Sequence, residues 1–388
     1  MTNDTLKLTD QQVLEHARAG LQNHLILTAE GYKCSTKDLL DVLLGVSVKG
    51  GTIEAVCADL VGTPDPETIR QYLNEQLTVE TLPELGRSLN AALAAQIPRR
   101  VWRRACDIAI DFHDRPYYGK ASQEEGLWIR GKAKSSTTRF YRVATAYVVL
   151  AGLRVTLAVG FFLPGNDTVT ILGLLLHRVK ALNIKVNCLL LDKGFAGIDV
   201  MRYLTQKELS ALIACPIRGR TGGTRALCRG NKSYLTTHTF KSQDGGSFTA
   251  DLAICRVFTT AKRTGRMRRH ADWLVFILVN LDSSLRQARR TYRRRFGVET
   301  SYRCAGQVRG WTTSRNPAYR FLLIGLSFFL LNVWLHLRWL FTQVPRRGRR
   351  RLDAKRFQLT RFASFILRAL EREYGCIDAI TASAAPRL

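Results

Sequence analysis

The chain has nine cysteines but no Cys-x-x-Cys pair. That argues against zinc ribbons and fingers, which are built on paired thiolates, and the odd, scattered thiols argue against a disulfide framework. Reduced thiols in a cytoplasmic protein are the simplest reading. No internal repeat is visible, which argues against solenoids and propellers. The opening "MTNDTLKLTDQQ" has no secretory-leader pattern. Long apolar runs are also scarce. Only Phe321 to Phe341, "FLLIGLSFFLLNVWLHLRWLF", is long enough to consider as a membrane span. Asn332, His336 and Arg338 interrupt it, so the expectation is a buried helix and no membrane partner.

Acids are few as well, 31 Asp plus Glu against 59 Lys plus Arg, a formal net charge of +28 over 388 residues. Such an excess implies a polyanionic partner, nucleic acid before an anionic membrane surface. The charge is uneven. Residues 1–98 sum to about −6, so about +34 lies beyond Pro98.

Residues 1–98 read as a helical domain. Thr9 or Asp10 and then Ser35 with Asp38 are N-cap candidates. "TIEAVCADLVGTPDPETIRQYLNEQL" gives two short helices across a tight turn, with Pro66 opening the second. That is a candidate helix-turn-helix. An ordinary helical pair is the alternative, and the acidic balance favours it.

From Arg99 the pattern becomes strand ("ACDIAIDFHD"), a hairpin of two strands ("RFYRVATAYVVLAG", "RVTLAVGFFLPG"), helix ("DTVTILGLLLHRVKALN", starting near Asp167) and strand ("KVNCLLLD"). A ribonuclease-H-like α/β core is built in this order, with a mixed sheet whose first and fourth strands lie side by side. Residues 99–208 are its expected first part. Residues 209–281 are β-rich and turn-rich, 282–343 return to helix, and 344–388 form a basic, helical C-terminal tail containing "PRRGRRR".

Two acids end apolar runs, Asp111 in "DIAIDFHD" and Asp192 in "LLLDKG". Turn chemistry alone explains an acid at a strand end. In the core just described, however, those strands are neighbours, and two carboxylates there suit a pair of divalent cations acting on a phosphodiester. Glu299, in "YRRRFGVETSYR", is the candidate third ligand. Tyr292, Arg295 and Glu299 stand at i, i+3 and i+7, which is one helix face. That would direct an aromatic, a guanidinium and an acid the same way. Asp107 and Asp114 flank Asp111, with Asp107 a weaker alternative ligand. His113 reads as structural or a phosphate contact, and Arg315 and Asn316 as DNA contacts or as a cap for the helix at Pro317.

These motifs resemble the DDE transposases of bacterial and archaeal insertion sequences, in particular the group with a Tyr-x-x-Arg-x-x-x-Glu-x-x-x-x-x-x-Lys signature. "YRRRFGVE" matches its Tyr, Arg and Glu, and "LLLDKGF" and "IAIDFHD" match its two aspartate motifs. The resemblance covers about residues 99 to 341, and it implies that the β-rich stretch 209–281 is the all-β insertion that the group carries between its second Asp and its Glu. It departs at Gly306, where the signature Lys is due, and at Phe112 and His113, where the group often has Thr soon after the first Asp.

The resemblance implies metal-dependent DNA cleavage and strand transfer, often through a hairpin on the element's end. It implies Asp111, Asp192 and Glu299 as catalytic metal ligands with Mg²⁺ or Mn²⁺ as cofactor. Tyr292, Arg295, Arg303 and Arg309 become DNA-binding residues. Double-stranded DNA is then the expected partner, in a homodimer or larger synaptic assembly, in the cytoplasm at the nucleoid. The alternatives are an inactive DNA-binding relative, a nuclease of the same fold that only hydrolyses, and a membrane-associated basic protein resting on Phe321 to Phe341.

Overall fold

The computed structural model describes residues 7–120, 126–150, 153–219, 223–263, 266–295, 297–344, 351–353 and 355–379. Most of the "PRRGRRR" stretch (residues 345–350), the tip of "KRTGRMRRH" (264–265) and Phe296 of the signature lie outside the described residues.

The chain opens with α1 (Asp10–Gln22), the two-residue strands β1 (Glu30–Gly31) and β2 (Cys34–Ser35), then α2 (Thr36–Lys49), α3 (Ile53–Asp59), α4 (Pro66–Gln76) and α5 (Leu82–Ala95). Next come β3 (Cys106–Pro116), β4 (Ile129–Lys134), β5 (Thr137–Val149), β6 (Thr156–Phe162), α6 (Thr168–Ala181), β7 (Val186–Leu191), α7 (Ile198–Gln206) and β8 (Ala211–Ala214). They are followed by α8 (Thr224–Leu227), β9 (Tyr234–Lys241), β10 (Ser247–Arg263), β11 (Arg266–Val279), α9 (Leu285–Arg295) and α10 (Gly297–Gln307). The last elements are α11 (Pro317–Phe341), the short β12 (Gln343–Val344) and β13 (Arg351–Leu352), and α12 (Leu359–Tyr374).

The helix starts follow local chemistry. Thr9 and Gln12 form a capping box on α1, and Ser35 and Asp38 form one on α2. The Asp167 carboxylate accepts from the Thr170 amide at 2.6 Å. Asn316 caps α11, accepting from Ala318 at 2.9 Å and Tyr319 at 3.2 Å, and its amide donates to the Leu77 carbonyl. Asn316 is thus a cap here, engaged on both sides.

One nine-stranded sheet runs β4-β5-β3-β7-β8-β11-β10-β9, with β6 also paired to β5. Within it, β6-β5-β3-β7-β8 is the ribonuclease-H-like arrangement. β3 is antiparallel to β5, and β7 and β8 are parallel to it. The expected boundary near residue 209 has no counterpart in the sheet. "ALIA" is β8, the core's fifth strand, buried along its whole length as a parallel strand should be. β11 then pairs with β8, β10 with β11, and β9 with β10, so the β-rich stretch prolongs the core sheet.

The sheet's two faces carry different cores. Ile108, Ile110, Val143, Leu189 and Leu191 join the large cluster that includes α5, α6 and α11. Their alternating neighbours Ala109, Tyr147, Cys188 and Leu190 join a smaller one with Ala288 and Tyr292 of α9. The apolar α11 lies inside the first core, with 83% of its most hydrophobic window buried in the protein. The buried Asn332 explains the break in its apolar run. Its side-chain amide accepts from the Thr156 N–H at 3.0 Å and donates to the Thr156 carbonyl at 2.8 Å. Asn90 of α5 does the same at Val159, with both bonds at 2.8 Å. Two amides thus satisfy backbone groups of β6 that β5 leaves unpaired.

The N-terminal helices and the C-terminal tail, expected as separate regions, pack together. The α1 residue Arg18 makes a bidentate bond to Asp41 of α2 at 2.7 and 2.8 Å and also bonds Glu373 of α12. The Tyr374 hydroxyl donates to Asp38 and Asp41. The candidate helix-turn-helix, α3 with α4, carries a single cation, Arg70, and that is held by Glu54 and Glu67. The pair therefore presents an acidic surface, as an ordinary helical pair would, and one poorly suited to phosphate.

Candidate active site

The pairing of β3 with β7 ends at Ile110 opposite Leu191. The next residues on the two strands are Asp111 and Asp192. Their place past the last parallel pair answers why acids stand there. There the two strands cease to share a ladder. Strand geometry fixes the backbone that carries each acid.

Between the two acids lies the Arg295 guanidinium, at the end of α9. Its Nη2 is 2.9 Å from Asp111 Oδ1 and its Nη1 is 3.8 Å from Asp192 Oδ1. Arg295 is only 6% exposed, whereas the Asp192 side chain is 44% exposed and borders solvent. Burial pushes the Asp111 carboxyl up to about 6, and the charges of Asp192 and Glu299 add to that rise while Arg295 opposes it. Burial works against the Arg295 charge too, but Asp111, Tyr292 and Asp192 outweigh it and raise its pKa. The Arg295 Nε is buried with no hydrogen-bond partner among the described residues.

Tyr292 was expected to face DNA. Its ring is instead buried, packed on Phe276 with centroids 4.8 Å apart, and burial raises its hydroxyl to about 12. The reason is the seat of α9. The helix lies on the sheet, so residues on the Arg295 side turn inward. The outward arginines are Arg286, Arg289, Arg290 and Arg293, which line a groove of about 770 Å³ beside β10. Helix continues in α10 beyond Phe296, and Glu299 stands exposed in its first turn. Its charge is felt at Asp111, but among the described residues no three acids, histidines or cysteines come together as a metal-holding group. The structure brings Asp111 and Asp192 together around one cationic group, Arg295, with the Glu299 charge within electrostatic reach of Asp111. Arg303 is exposed on α10, and Arg309 follows that helix, half buried.

Asp107 and Asp114 are engaged elsewhere. Asp107 is buried, accepts from Asn187 at 2.6 Å and pairs with Arg294. Asp114 takes a bidentate bond from Arg142 at 2.9 and 3.0 Å. His113 packs on the Tyr302 ring at 4.5 Å. Burial, then the Arg309 and Lys134 charges, pushes it down to about 4, so it is neutral at pH 7.

Several supporting residues escaped sequence reading. Phe112 stacks on Phe195 of the "DKGF" motif, rings 4.7 Å apart and nearly parallel, with the Arg142 guanidinium 4.5 Å from its ring centre. That stack ties the chain after Asp111 to the chain after Asp192 and accounts for Phe where the resemblance expects a polar residue nearby. The Tyr302 hydroxyl bonds the Asp111 carbonyl at 3.3 Å and shares a hydrogen bond with Thr145 at 2.7 Å. It thereby fixes α10 to β3 at the acid itself. Its signal was present in "VETSYR", one helical turn after Glu299. Gly297 has a packing reason, since a Cβ there would meet Arg154 Nε and the Tyr147 hydroxyl at 2.8 Å.

The chain matches no family model and no curated protein. Among solved structures it is similar to the cryo-EM structure of piggyBac transposase in a synaptic complex with hairpin DNA. The TM-score is 0.54 over 95% of this chain and 78% of that one, with 10% identical residues. The fold is similar to that of a transposase. At this identity the likeness is one of architecture, and the roles of individual residues rest on the geometry above.

Proposed function

We propose that the protein is a DNA transposase of an insertion sequence, cutting a DNA strand at the element's end and joining the freed 3′-hydroxyl to another phosphodiester. The observation that carries this reading is the pair of carboxylates just past the last paired residues of the two middle strands, converging on a single positive group. An arginine there stands in for the cationic charge that two such acids attract. Their oxygen donors suit a hard cation such as Mg²⁺ or Mn²⁺. Asp111 and Asp192 would hold it, with Glu299 brought in from the first turn of α10. A divalent cation held by these residues would supply activation of the attacking oxygen and charge neutralisation at the phosphate.

The rest falls to the chain's own residues. Above about pH 6 Asp111 is ionised and able to act as a ligand. Arg295 keeps the two acids from repelling each other until DNA arrives, and its fork then suits a phosphate beside the scissile bond. Tyr292 supports Arg295 from beneath. The arginines of the α9 groove, with Arg303 and Arg309, follow the DNA backbone. Element ends and target DNA are the partners, brought together by a homodimer or larger assembly in the cytoplasm.

A strand-transfer assay tests the reading. A duplex carrying a candidate element end from the DNA that flanks this reading frame, pre-cut to expose its 3′-hydroxyl, is incubated with Mg²⁺ and a plasmid. Joined product is expected. Hydrolysis without joining would make the protein a nuclease of this fold, and DNA binding without cleavage an inactive relative.

A further inference from the structure

Beyond Asp111, β3 runs on to Pro116 and leads into a separate cavity of about 420 Å³. Arg115 and Tyr118 line it from the end of β3, and Arg309, Trp311 and Thr312 from the connection between α10 and α11. Arg309 is half buried, burial lowers its pKa, and no carboxylate among the described residues pairs with it. Arg115 buries its Nε with no hydrogen-bond partner among the described residues. A guanidinium sunk into a cavity without a counter-ion is costly unless an anion completes it. Two large rings border the same space with much of their surface exposed, Trp311 at 59% and Tyr118 at 64%.

An inorganic anion would leave the rings idle, and an apolar ligand would leave the guanidiniums unanswered. A nucleotide satisfies both, with its phosphate on arginine and its base on an aromatic face. A duplex keeps its bases stacked inside, so only an unstacked nucleotide offers a free face. Arg115 lies four residues after Asp111 on an extended strand, about 13 Å away. DNA held at the carboxylates reaches that far.

We propose that this cavity is a subsite for one unstacked nucleotide of a single-stranded DNA end, with its base against Trp311 and its phosphate on Arg309 and Arg115. This rests on the reading of the protein as a DNA transposase.

The test is fluorescence anisotropy in EDTA, where no cleavage occurs, comparing a blunt duplex with the same duplex carrying a three-nucleotide single-stranded extension. The extension is expected to tighten binding roughly 10-fold or more, the range of one stacked base. An abasic extension should lose that gain. Trp311→Ala should bring the extended duplex down to the blunt one's affinity, and Trp311→Phe should recover most of it. The backbone bond from Trp311 N–H to the Gly51 carbonyl at 2.8 Å survives these changes, and melting curves verify folding. Equal affinity of wild-type protein for blunt and extended duplex, or a gain that persists in Trp311→Ala, overturns the subsite while the transposase reading stands. Failure to bind either duplex at low salt overturns both.

Discussion

The helices α9 and α11 lie on opposite faces of one sheet and are opposite in composition. α11 is "PAYRFLLIGLSFFLLNVWLHLRWLF", apolar almost throughout, and α9 is "LRQARRTYRRR", with six arginines in eleven residues. Yet each buries a polar side chain that serves the sheet. Asn332 completes the backbone pairing of β6, and Arg295 offsets the charge of two acids at the strand ends. A polar residue inside a helix interface therefore reports an unmet need of the neighbouring strand. Where the need is a peptide group the answer is a neutral amide, and the face is a core. Where it is a carboxylate the answer is a charge, and the face is a candidate site.

The strongest way to break this contrast is at the acids. Asp192→Asn should reduce metal-dependent DNA cleavage to background while leaving the melting temperature close to wild type, because its side chain borders solvent. Near wild-type cleavage by this variant would remove the acid pair from the chemistry.

Removing the charged answer comes next. Arg295→Met leaves two acids facing each other, one of them buried, and should cost about 3–5 kcal/mol near neutral pH. The pH dependence carries the sign. Asp111 titrates higher in the folded protein than its ordinary 3.8, near 6, so its contribution to stability falls as pH rises from about 4 to about 6. Without Arg295 the folded pKa rises further, so the deficit against wild type should be small below about pH 6, where Asp111 is protonated in both folded proteins, and widen above it. Denaturant unfolding across pH measures this. A deficit independent of pH would make Arg295 a packing residue.

Removing the neutral answer should cost less. Asn332→Leu would make α11 more apolar and still destabilise by about 2–4 kcal/mol, because the Thr156 N–H and carbonyl lose their partners. This deficit should show no slope with pH, and DNA affinity of the folded protein should be unchanged. A neutral or stabilising result would show that the β6 edge finds partners without the amide.

The smallest effect is expected at Gly306, on the outer side of α10, where a Cβ would meet nothing within 4 Å. Gly306→Lys should raise stability by a few tenths of a kcal/mol, near a helix end, and steepen the salt dependence of DNA binding by about 0.9 in the log–log slope. No change in slope would place this face of α10 away from DNA.

Much of this contrast is legible before folding. The periodicity of "DIAIDFHD" and "VNCLLLD", the caps at Thr9, Ser35 and Asp167, and the order of strands and helix lead to the central sheet and to Asp111 beside Asp192. The strands β4 and β9 escaped, since "IRGKAK" and "YLTTHTFK" are mostly exposed and carry little apolar signal. Tyr292 was misdirected because spacing on a helix says which residues share a face, not whether that face looks at the sheet or at solvent. The engagement of Asp107 by Arg294 and of Asp114 by Arg142 joins residues far apart in the chain, beyond the reach of local pattern.

By itself, then, the sequence determined the buried elements and their order, because hydrophobic periodicity and caps act over a few residues. It also determined that two acids would end neighbouring strands, and that positive charge would gather beyond residue 98. Only the tertiary structure decided that the β-rich stretch prolongs the core sheet, that the N-terminal helices pack with α12, and that Arg295 turns inward to the acids. Those outcomes depend on which faces become dry when distant segments pack. Desolvation of a charge is settled by all its neighbours at once.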